Sequence, residues 1–492
     1  MEEMREKNAL QNPNSKLQNP KARSKGRWRL QWSPRLQIVF LGVLALFIVG
    51  VVRQEAFLAC SDSPIGAYPS LTLDGYHRLL VLAPHCDDET LGAGGLIQAA
   101  LREGMGVRVV IVTACDGYRS AAMAQFRRLR LRSEDFVALG ELRRQESLQA
   151  LARLGLHSTD DVLFLMYPER GSPALWWDYW EGDQPYRSPY SGLASSPAGA
   201  PYDGQALLQG LRSILAADRP DVIVMPHPND ENIDHRALAA FASLAVEMER
   251  AEDPTFQPLV LEYLIHYGLY PQPFGLKPGA LLRPPRQLES IGEWVVWGLS
   301  AEEVALKQRA VDAYPSQKQL MAPYLNGFVR QNELFMRDVG AVSLGIMGSV
   351  SLVDTNNPQA IASDVSLLAL HDPVNDSVVR RLSSGADIEG LRLLRLGDSL
   401  WIGLNLRGPV NHAYSYDLYV RAITAGSSMT WSRRYRQGAD EMWHYAHTIW
   451  YRLDLDALNH PDWLILTAET RRGLVLDRTA WHVIRLEESL FD

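Results

Sequence analysis

The chain has 492 residues, more than one ordinary domain holds, so its length points to about two to four folded units. With 47% hydrophobic and 22% charged residues, 13 Trp and 19 Tyr, it has material for packed cores and is neither a disordered nor a collagen-like polymer. The formal charge of −8 is unevenly spread. Residues 1–35 hold nine Lys/Arg against three Glu, a net of +6, which leaves −14 on the rest and argues against a general nucleic-acid binder.

The basic start (1–35) runs into Leu36–Val52, 17 residues with Gln37 as the one polar side chain. That length is at the lower edge of a membrane span. Arg27, Arg29 and Arg35 precede it and only Arg53 directly follows, so the positive-inside bias predicts a cytoplasmic tail, an uncleaved signal-anchor at 36–53 and an extracytoplasmic body. A buried core helix would show a polar face at helical period, which this stretch lacks. A cleaved secretory signal is the next rival, and its usual start is shorter than this 35-residue leader. Phe57-Leu58-Ala59-Cys60 is a weak echo of a lipoprotein cleavage site, separated from the apolar run by Arg53 and Glu55. Residues 54–75 read as a linker. Cys60, Cys86 and Cys115 are too few for a disulfide framework and have no zinc-finger spacing.

From residue 76 strand-like and helix-like segments alternate. Leu79–Ala83 and Val107–Thr113 are continuous apolar runs, the pattern of parallel strands buried on both faces. Leu91–Arg102 reads as the helix between them. Helices at 142–153 and 205–217 and strands at 162–165 and 222–225 continue the pattern. The expectation is a doubly wound, Rossmann-like parallel α/β domain over 76–350, with its site beyond the carboxyl ends of strands.

Two of those strand ends carry unusual chemistry. The first reads His85-Cys86-Asp87-Asp88-Glu89-Thr90, an imidazole and three carboxylates within five residues. Crowded acids resist ionisation unless a cation compensates them. The second is His227-Pro228-Asn229-Asp230-Glu231-Asn232-Ile233-Asp234-His235. Imidazole and carboxylate suit zinc, and a catalytic zinc keeps three protein ligands, here His85, Asp88 and His235. Either motif alone is more often a helix cap, but two at equivalent strand ends shift the balance. The Gly92-Ala93-Gly94-Gly95 run lacks dinucleotide-loop spacing and reads as close helix–sheet packing.

At these residues the chain resembles the zinc-dependent de-N-acetylase superfamily of PIG-L and LmbE-like proteins. Its His-Pro-Asp-Asp-Glu motif is matched by 85–89 except at Cys86, and its Asp-x-His-x-Asp-His motif by 230–235 except at Asn232. Arg143 with Glu146, Lys307, Tyr314–Gln317 and Asn332–Phe335 extend the resemblance to roughly 76–340. The resemblance implies zinc on His85, Asp88 and His235, Asp87 as general base, and Asp234 as an orienting carboxylate. Asn232 stands where the family has a histidine; it can donate a hydrogen bond but cannot deliver a proton. His227 and His266 are candidates to substitute, His266 on the strand-like Leu264–Tyr267. Cys86 and Cys115 are expected as buried free thiols, with a bond between them as the alternative.

Residues 167–206 form a long stretch with Trp176, Trp177, Tyr179, Trp180, Tyr186 and Tyr190. Such a loop is usually functional. Arg143, Trp176, Trp177 and Trp180 are expected to contact substrate, the tryptophans as a sugar-stacking lid; a loop packing a small core of its own is an equal rival. The basic run Arg127–Arg132 reads as a solvated helical face. Beyond 350, short strand-like runs at 400–404, 416–420, 448–453, 463–466 and 481–484 predict a β-sandwich over 351–492, for packing or carbohydrate binding. Together the sequence predicts a membrane-anchored zinc deacetylase of an N-acetylglucosamine-type carbohydrate. The alternatives are a non-catalytic carbohydrate-binding or scaffold protein, and a hydrolase of another small amide.

Overall fold

The structure is a computed structural model that describes residues 42, 60–338, 340–345, 368–375, 380, 382–424, 427–435 and 442–487. Among them no helix is long and apolar enough to cross a membrane. The predicted tail and signal-anchor lie, but for Gly42, outside the described residues. The described residues from Cys60 onward belong to one compact unit. Residues 60–75, expected as a linker, are packed instead: Ser61 N donates to Pro284 O, Ser70 bridges to Val296, and Leu71 and Leu73 are buried.

The chain runs β1 (Arg78–Ala83), α1 (Asp88–Arg102), β2 (Gly106–Thr113), α2 (Arg119–Phe126), α3 (Ser133–Leu154), β3 (Val162–Tyr167) and α4 (Ser172–Trp177). It continues with α5 (Gly204–Asp218), β4 (Val222–Pro226), α6 (Ile233–Glu252), β5 (Leu259–Tyr263), β6 (Glu293–Gly298), α7 (Ala301–Val311), α8 (Pro315–Leu325) and β7 (Asn332–Arg337). The sheet order is β3-β2-β1-β4-β5-β7-β6, parallel through β5 and antiparallel at β7 and β6. β1 and β4 are neighbours whose onward connections leave to opposite sides, which makes their carboxyl ends the switch point where ligands bind in open α/β sheets.

The apolar runs of β1, β2 and β4 follow from cover on both faces. One core holds Leu79, Val81 and Val109 with α1 and α3 residues; the other holds Leu80, Val110 and Ile223 with α5 and α6 residues. α1 lies close on the sheet because a Cβ at Gly92 would come within 2.6 Å of the Tyr263 ring, and its glycine run serves packing. The basic run 127–132 is an exposed connection between α2 and α3, not a helical face: Arg127 is left-handed at φ 54° and ends α2.

The rest is a sandwich of two sheets. One has the order β13-β12-β16-β18-β8, with β17 paired to β16; the other is β14-β15-β11-β10-β9. The strands are β8 (Val342–Leu344), β9 (Leu368–His371), β10 (Ile388–Leu396), β11 (Ser399–Leu406), β12 (Ser415–Thr424), β13 (Ser427–Arg434), β14 (Met442–Tyr445), β15 (Thr448–Asp454), β16 (Trp463–Arg472), β17 (Leu474–Arg478) and β18 (His482–Leu486). Alternate residues of both sheets, among them Leu391, Leu393, Leu418, Val420, Leu464 and Leu466, share one core. β8 pairs in parallel with β18, so the sandwich begins ahead of the expected residue 351.

The tryptophans expected as a lid are core. Trp176 is 0% exposed and stacks on Phe241 of α6 at 4.1 Å between centroids, with Trp180 at 5.2 Å from it and 6.1 Å from Phe241, so the three rings form one cluster. Trp177 meets Tyr419 and Trp481 of the sandwich. Arg421 of β12 donates to the carbonyls of Trp176 and Trp177 and lies 4.6 Å over the Trp180 ring. Trp176 and Trp180 are buried where the two domains meet, and Trp177 is half-buried beside them.

Candidate active site

β1 ends at Ala83 and the chain turns through His85 and Asp87 into α1. Asp87 sits at φ 141°, in the left-handed half of backbone space that costs a non-glycine residue energy, and although it holds the N-cap position its carboxylate caps nothing. Its N–H donates to Glu89 Oε2 at 3.0 Å. Glu89 is in turn fixed by donation from the Ser147 hydroxyl and from Tyr314 Oη at 2.6 Å. Asp88 and Glu89 occupy the first turn of α1, where the positive helix end favours carboxylates.

α6 starts beyond β4 and brings His235 to the same place. His85 Nδ1 lies 3.1 Å from Asp88 Oδ2, His235 Nε2 lies 3.0 Å from that oxygen, and the two nitrogens are 3.3 Å apart. A tetrahedral zinc with ligand bonds of about 2.0–2.2 Å sets its ligands about 3.3–3.5 Å from one another, so these three buried donors fit one cation. The remaining ring nitrogens are also committed. His85 Nε2 pairs with Asp234 Oδ2 and His235 Nδ1 with Asp230 Oδ2, both at 3.1 Å. Each carboxylate stands where it can accept the ring N–H, which with a cation bound would leave Nδ1 of His85 and Nε2 of His235 free to ligate it, the arrangement of a metal-bound histidine.

The electrostatics agree. Burial acts to raise the Asp88 carboxyl, but His235 and His85 hold it well below the usual range. Burial would lower His235, yet Asp230 and Asp88 lift it to about 9. Asp87 is pushed well above the usual carboxylate range by burial and by Asp88, with Arg143 acting against them. A bound cation would relieve this crowding of acids.

Of the expected substrate contacts, Arg143 proves to be a strut. It is 4% exposed and donates to the carbonyls of Cys115 and Cys86, to Glu169 Oε2 and to Gln317 Oε1, so it pins the turn after β1. Glu146, one turn on, accepts from Ser316 N and Oγ and fixes the start of α8. Lys307 pairs with Glu333, which accepts from Gly95 N and Leu96 N and holds α1 from behind. The Cys86 and Cys115 thiols, expected free, form a disulfide with Cα atoms 6.0 Å apart, because the ends of β1 and β2 are adjacent.

Asn232 is the N-cap of α6: its Oδ1 accepts from Asp234 N at 2.9 Å. His227 is buried away from the ligands and stacks on Trp294. His266 lies just past the end of β5, not on a strand, with its ring 4.9 Å from that of His235 and its Nδ1 3.0 Å from Tyr324 Oη. Burial lowers it to about 4, so the ring is neutral.

Sequence reasoning gave no role to Asp230, which accepts from Ile265 N and His266 N as well as holding His235. It also passed over the turn after β3. There Arg170 N and Ser172 N donate to Asp234, Glu169 accepts from Gly117 N, and Asp116 is raised to about 7 by burial and then by Glu169. The signal available was position: Asp116 and Glu169 follow the ends of β2 and β3 as His85 follows β1. Of the 167–206 aromatics, Tyr186 and Tyr190 face this region; burial, then Asp234, raises the Tyr186 hydroxyl.

The family model for GlcNAc-PI de-N-acetylase (PIG-L) matches residues 80–246, which contain both motifs. No curated protein matches the chain. Among solved structures, N,N'-diacetylchitobiose deacetylase from Pyrococcus horikoshii is similar at 17% identity and TM-score 0.34, over 54% of this chain and 85% of that one. The zinc-inhibited form of teicoplanin deacetylase Orf2 is similar at 19% and 0.33, over 53% and 99%. GalB, the 4-carboxy-2-hydroxymuconate hydratase from Pseudomonas putida KT2440, is similar at 16% and 0.30, over 51% and 82%. At such values these likenesses add nothing to what the site itself shows. The match over 80–246, with both strand-end motifs inside it, identifies this segment of the chain as a domain of the PIG-L de-N-acetylase superfamily.

Proposed function

We propose that the chain is a zinc-dependent N-deacetylase that hydrolyses the acetamido group of an N-acetylglucosamine-type sugar in a glycan or glycoconjugate. The observation that carries this is the trio of donor atoms 3.0–3.3 Å apart, each imidazole backed by its own carboxylate, beside an Asp87 that caps nothing. Zinc bound there supplies Lewis acidity to a carbonyl oxygen and makes a water easier to deprotonate. Asp87 takes the proton of the attacking water and returns it to the departing amine. Asp234 and Asp230 keep His85 and His235 in the tautomers that face the cation. His266, beside His235, can donate from Nε2 to the oxygen that gains charge once the Tyr324 hydroxyl turns from Ile265 O to its Nδ1, the part Asn232 gives up by capping α6.

The same reading places the body outside the cytoplasm, tethered by a signal-anchor at 36–53. The Cys86–Cys115 bond supports it, since such bonds persist in oxidising compartments, as does the +6 head. A carbohydrate-binding protein without turnover is the second reading, favoured by the loss of the family histidine at Asn232.

The test is metal analysis of the full-length protein together with acetate release from N-acetylated chito-oligosaccharides. The expected result is one zinc per chain and measurable acetate, with Asp87→Asn keeping the zinc and lowering kcat about 10²–10⁴-fold. Zinc-loaded protein that frees no acetate from any N-acetylated sugar, or an Asp87→Asn variant with unchanged turnover, overturns the reading.

A further inference from the structure

A cleft of about 300 Å³ lies between the α/β domain and the sandwich, lined from one side by Glu262, Met336 and Asp338 and from the other by Leu370, Trp481 and His482. None of the metal-centre residues lines it. Its volume is at the small end of those that hold organic ligands. Glu262 is the β5 residue whose side chain leaves the sheet on the face opposite Tyr263. It is 3% exposed, and its Oε2 has no hydrogen-bond partner among the described residues. The same is true of His227 Nε2 behind it, of His482 Nε2 and of the Trp481 indole N–H. Three of these atoms, on Glu262, Trp481 and His482, belong to residues that line the cleft, with His227 behind Glu262, and such atoms are costly, each about 1–3 kcal/mol, unless something enters to satisfy them.

The donor pattern narrows what enters. His227 Nδ1 accepts from Asn229 N at 3.0 Å, so its Nε2 carries the proton and is a donor. That donor stands 4.0 Å from Glu262 Oε2, too far for a bond but right for one oxygen seated about 2.8 Å from each. Glu262 and Asp338 share the lining with Arg337, so the cleft offers no single sign of charge to select an anion. An ammonium would meet the His227 N–H. A metal ion lacks its ligands, since among the described residues only His85/Asp88/His235 and an exposed Asp398/Asp456/His460 group converge closely enough. A hydroxyl both donates and accepts, and a ring bearing several hydroxyls also suits a wall of Trp481, Leu370 and Met336.

We propose that this cleft is a second carbohydrate site, separate from the proposed metal site, which takes a single sugar ring with one hydroxyl held by Glu262 and others reaching His482 and Trp481. It gives the sandwich a function, holding a glycan unit while the metal centre acts elsewhere on the same chain.

The test uses the full-length protein with His235→Ala, which removes the metal centre, titrated calorimetrically with glucose and with N-acetylglucosamine. Saturable binding of either sugar, with Kd of about 1 mM or tighter, is expected to survive His235→Ala and to weaken at least about tenfold in Glu262→Met. Glu262→Met fills the same space without a polar atom, so its melting temperature is expected to hold or rise and a loss of binding is not a loss of fold. Glu262→Gln, which keeps one acceptor, is expected to bind with an intermediate Kd. Absence of saturable binding, binding that disappears with His235→Ala, or binding untouched in Glu262→Met overturns the proposal. Acetate release by Glu262→Met on a short N-acetylated sugar is expected to be unchanged, which separates this outcome from failure of the deacetylase reading.

Discussion

The candidate metal site and the aromatic seam are both made of residues conspicuous in the sequence, and only the first lies where the pattern pointed. His85, Asp87, Asp88, Asp234 and His235 are acids and imidazoles placed at the ends of buried strands. Burial makes such groups costly unless they meet one another or a cation, so the residue types themselves imply the geometry. Trp176, Trp177 and Trp180 carry no such constraint. An aromatic face gains from a sugar ring or from Phe241, and what decides is which partner the fold supplies. Here the partners are α6 and, far later in the chain, Tyr419, Arg421 and Trp481 of the sandwich.

The largest effect that can break this contrast is Trp176→Ala. Removing a fully buried indole packed on both Trp180 and Phe241, with its N–H donating to Ala237 O, is expected to cost about 3–5 kcal/mol in denaturant unfolding. The surviving folded protein is expected to keep its zinc content and KM. A lid residue would give the opposite result: a raised KM at unchanged stability.

The α/β order was legible because its strands are unbroken apolar runs; β1, β2, β3 and β4 fall within one or two residues of expectation. The His85/Asp88/His235 set was legible for the reason above. Less legible was whatever depends on partners distant in sequence. Arg143 looked like a substrate contact because an arginine beside a site can serve as either hand or strut, and only the carbonyls of Cys86 and Cys115 settle which. His266 was put on a strand because Leu264–Tyr267 is apolar, but β5 ends at Tyr263 and the extra turn is what carries the ring to His235.

A smaller effect is expected at the disulfide. The bond closes a loop with a sequence separation of 29, which on chain-entropy grounds stabilises by about 3–4 kcal/mol. Thiol titration of unfolded, unreduced protein is expected to find Cys60 alone, and Cys86→Ala with Cys115→Ala is expected to lower stability by that amount while retaining zinc. Three reactive thiols would return Cys86 and Cys115 to the free state their sequence context suggested.

The smallest effect is expected at the carboxylates behind the two candidate ligand histidines. Asp230→Asn keeps the size of the side chain but removes the charge that takes the His235 Nδ1 proton. Zinc affinity is therefore expected to fall about 10–100-fold in chelator competition. Asp234→Asn acts on His85 in the same way, though Asp234 also anchors Arg170 N and Ser172 N, and so it is expected to disturb the turn after β3 as well. Asp230 carries a comparable load through Ile265 N and His266 N. The two variants are thus distinguished by which loop loosens, which hydrogen exchange reads: 265–266 for Asp230→Asn and 170–172 for Asp234→Asn. Equal zinc affinity in wild type and both variants would mean that the imidazoles are held by packing alone, and the contrast between a centre fixed by charge and a seam fixed by shape would disappear.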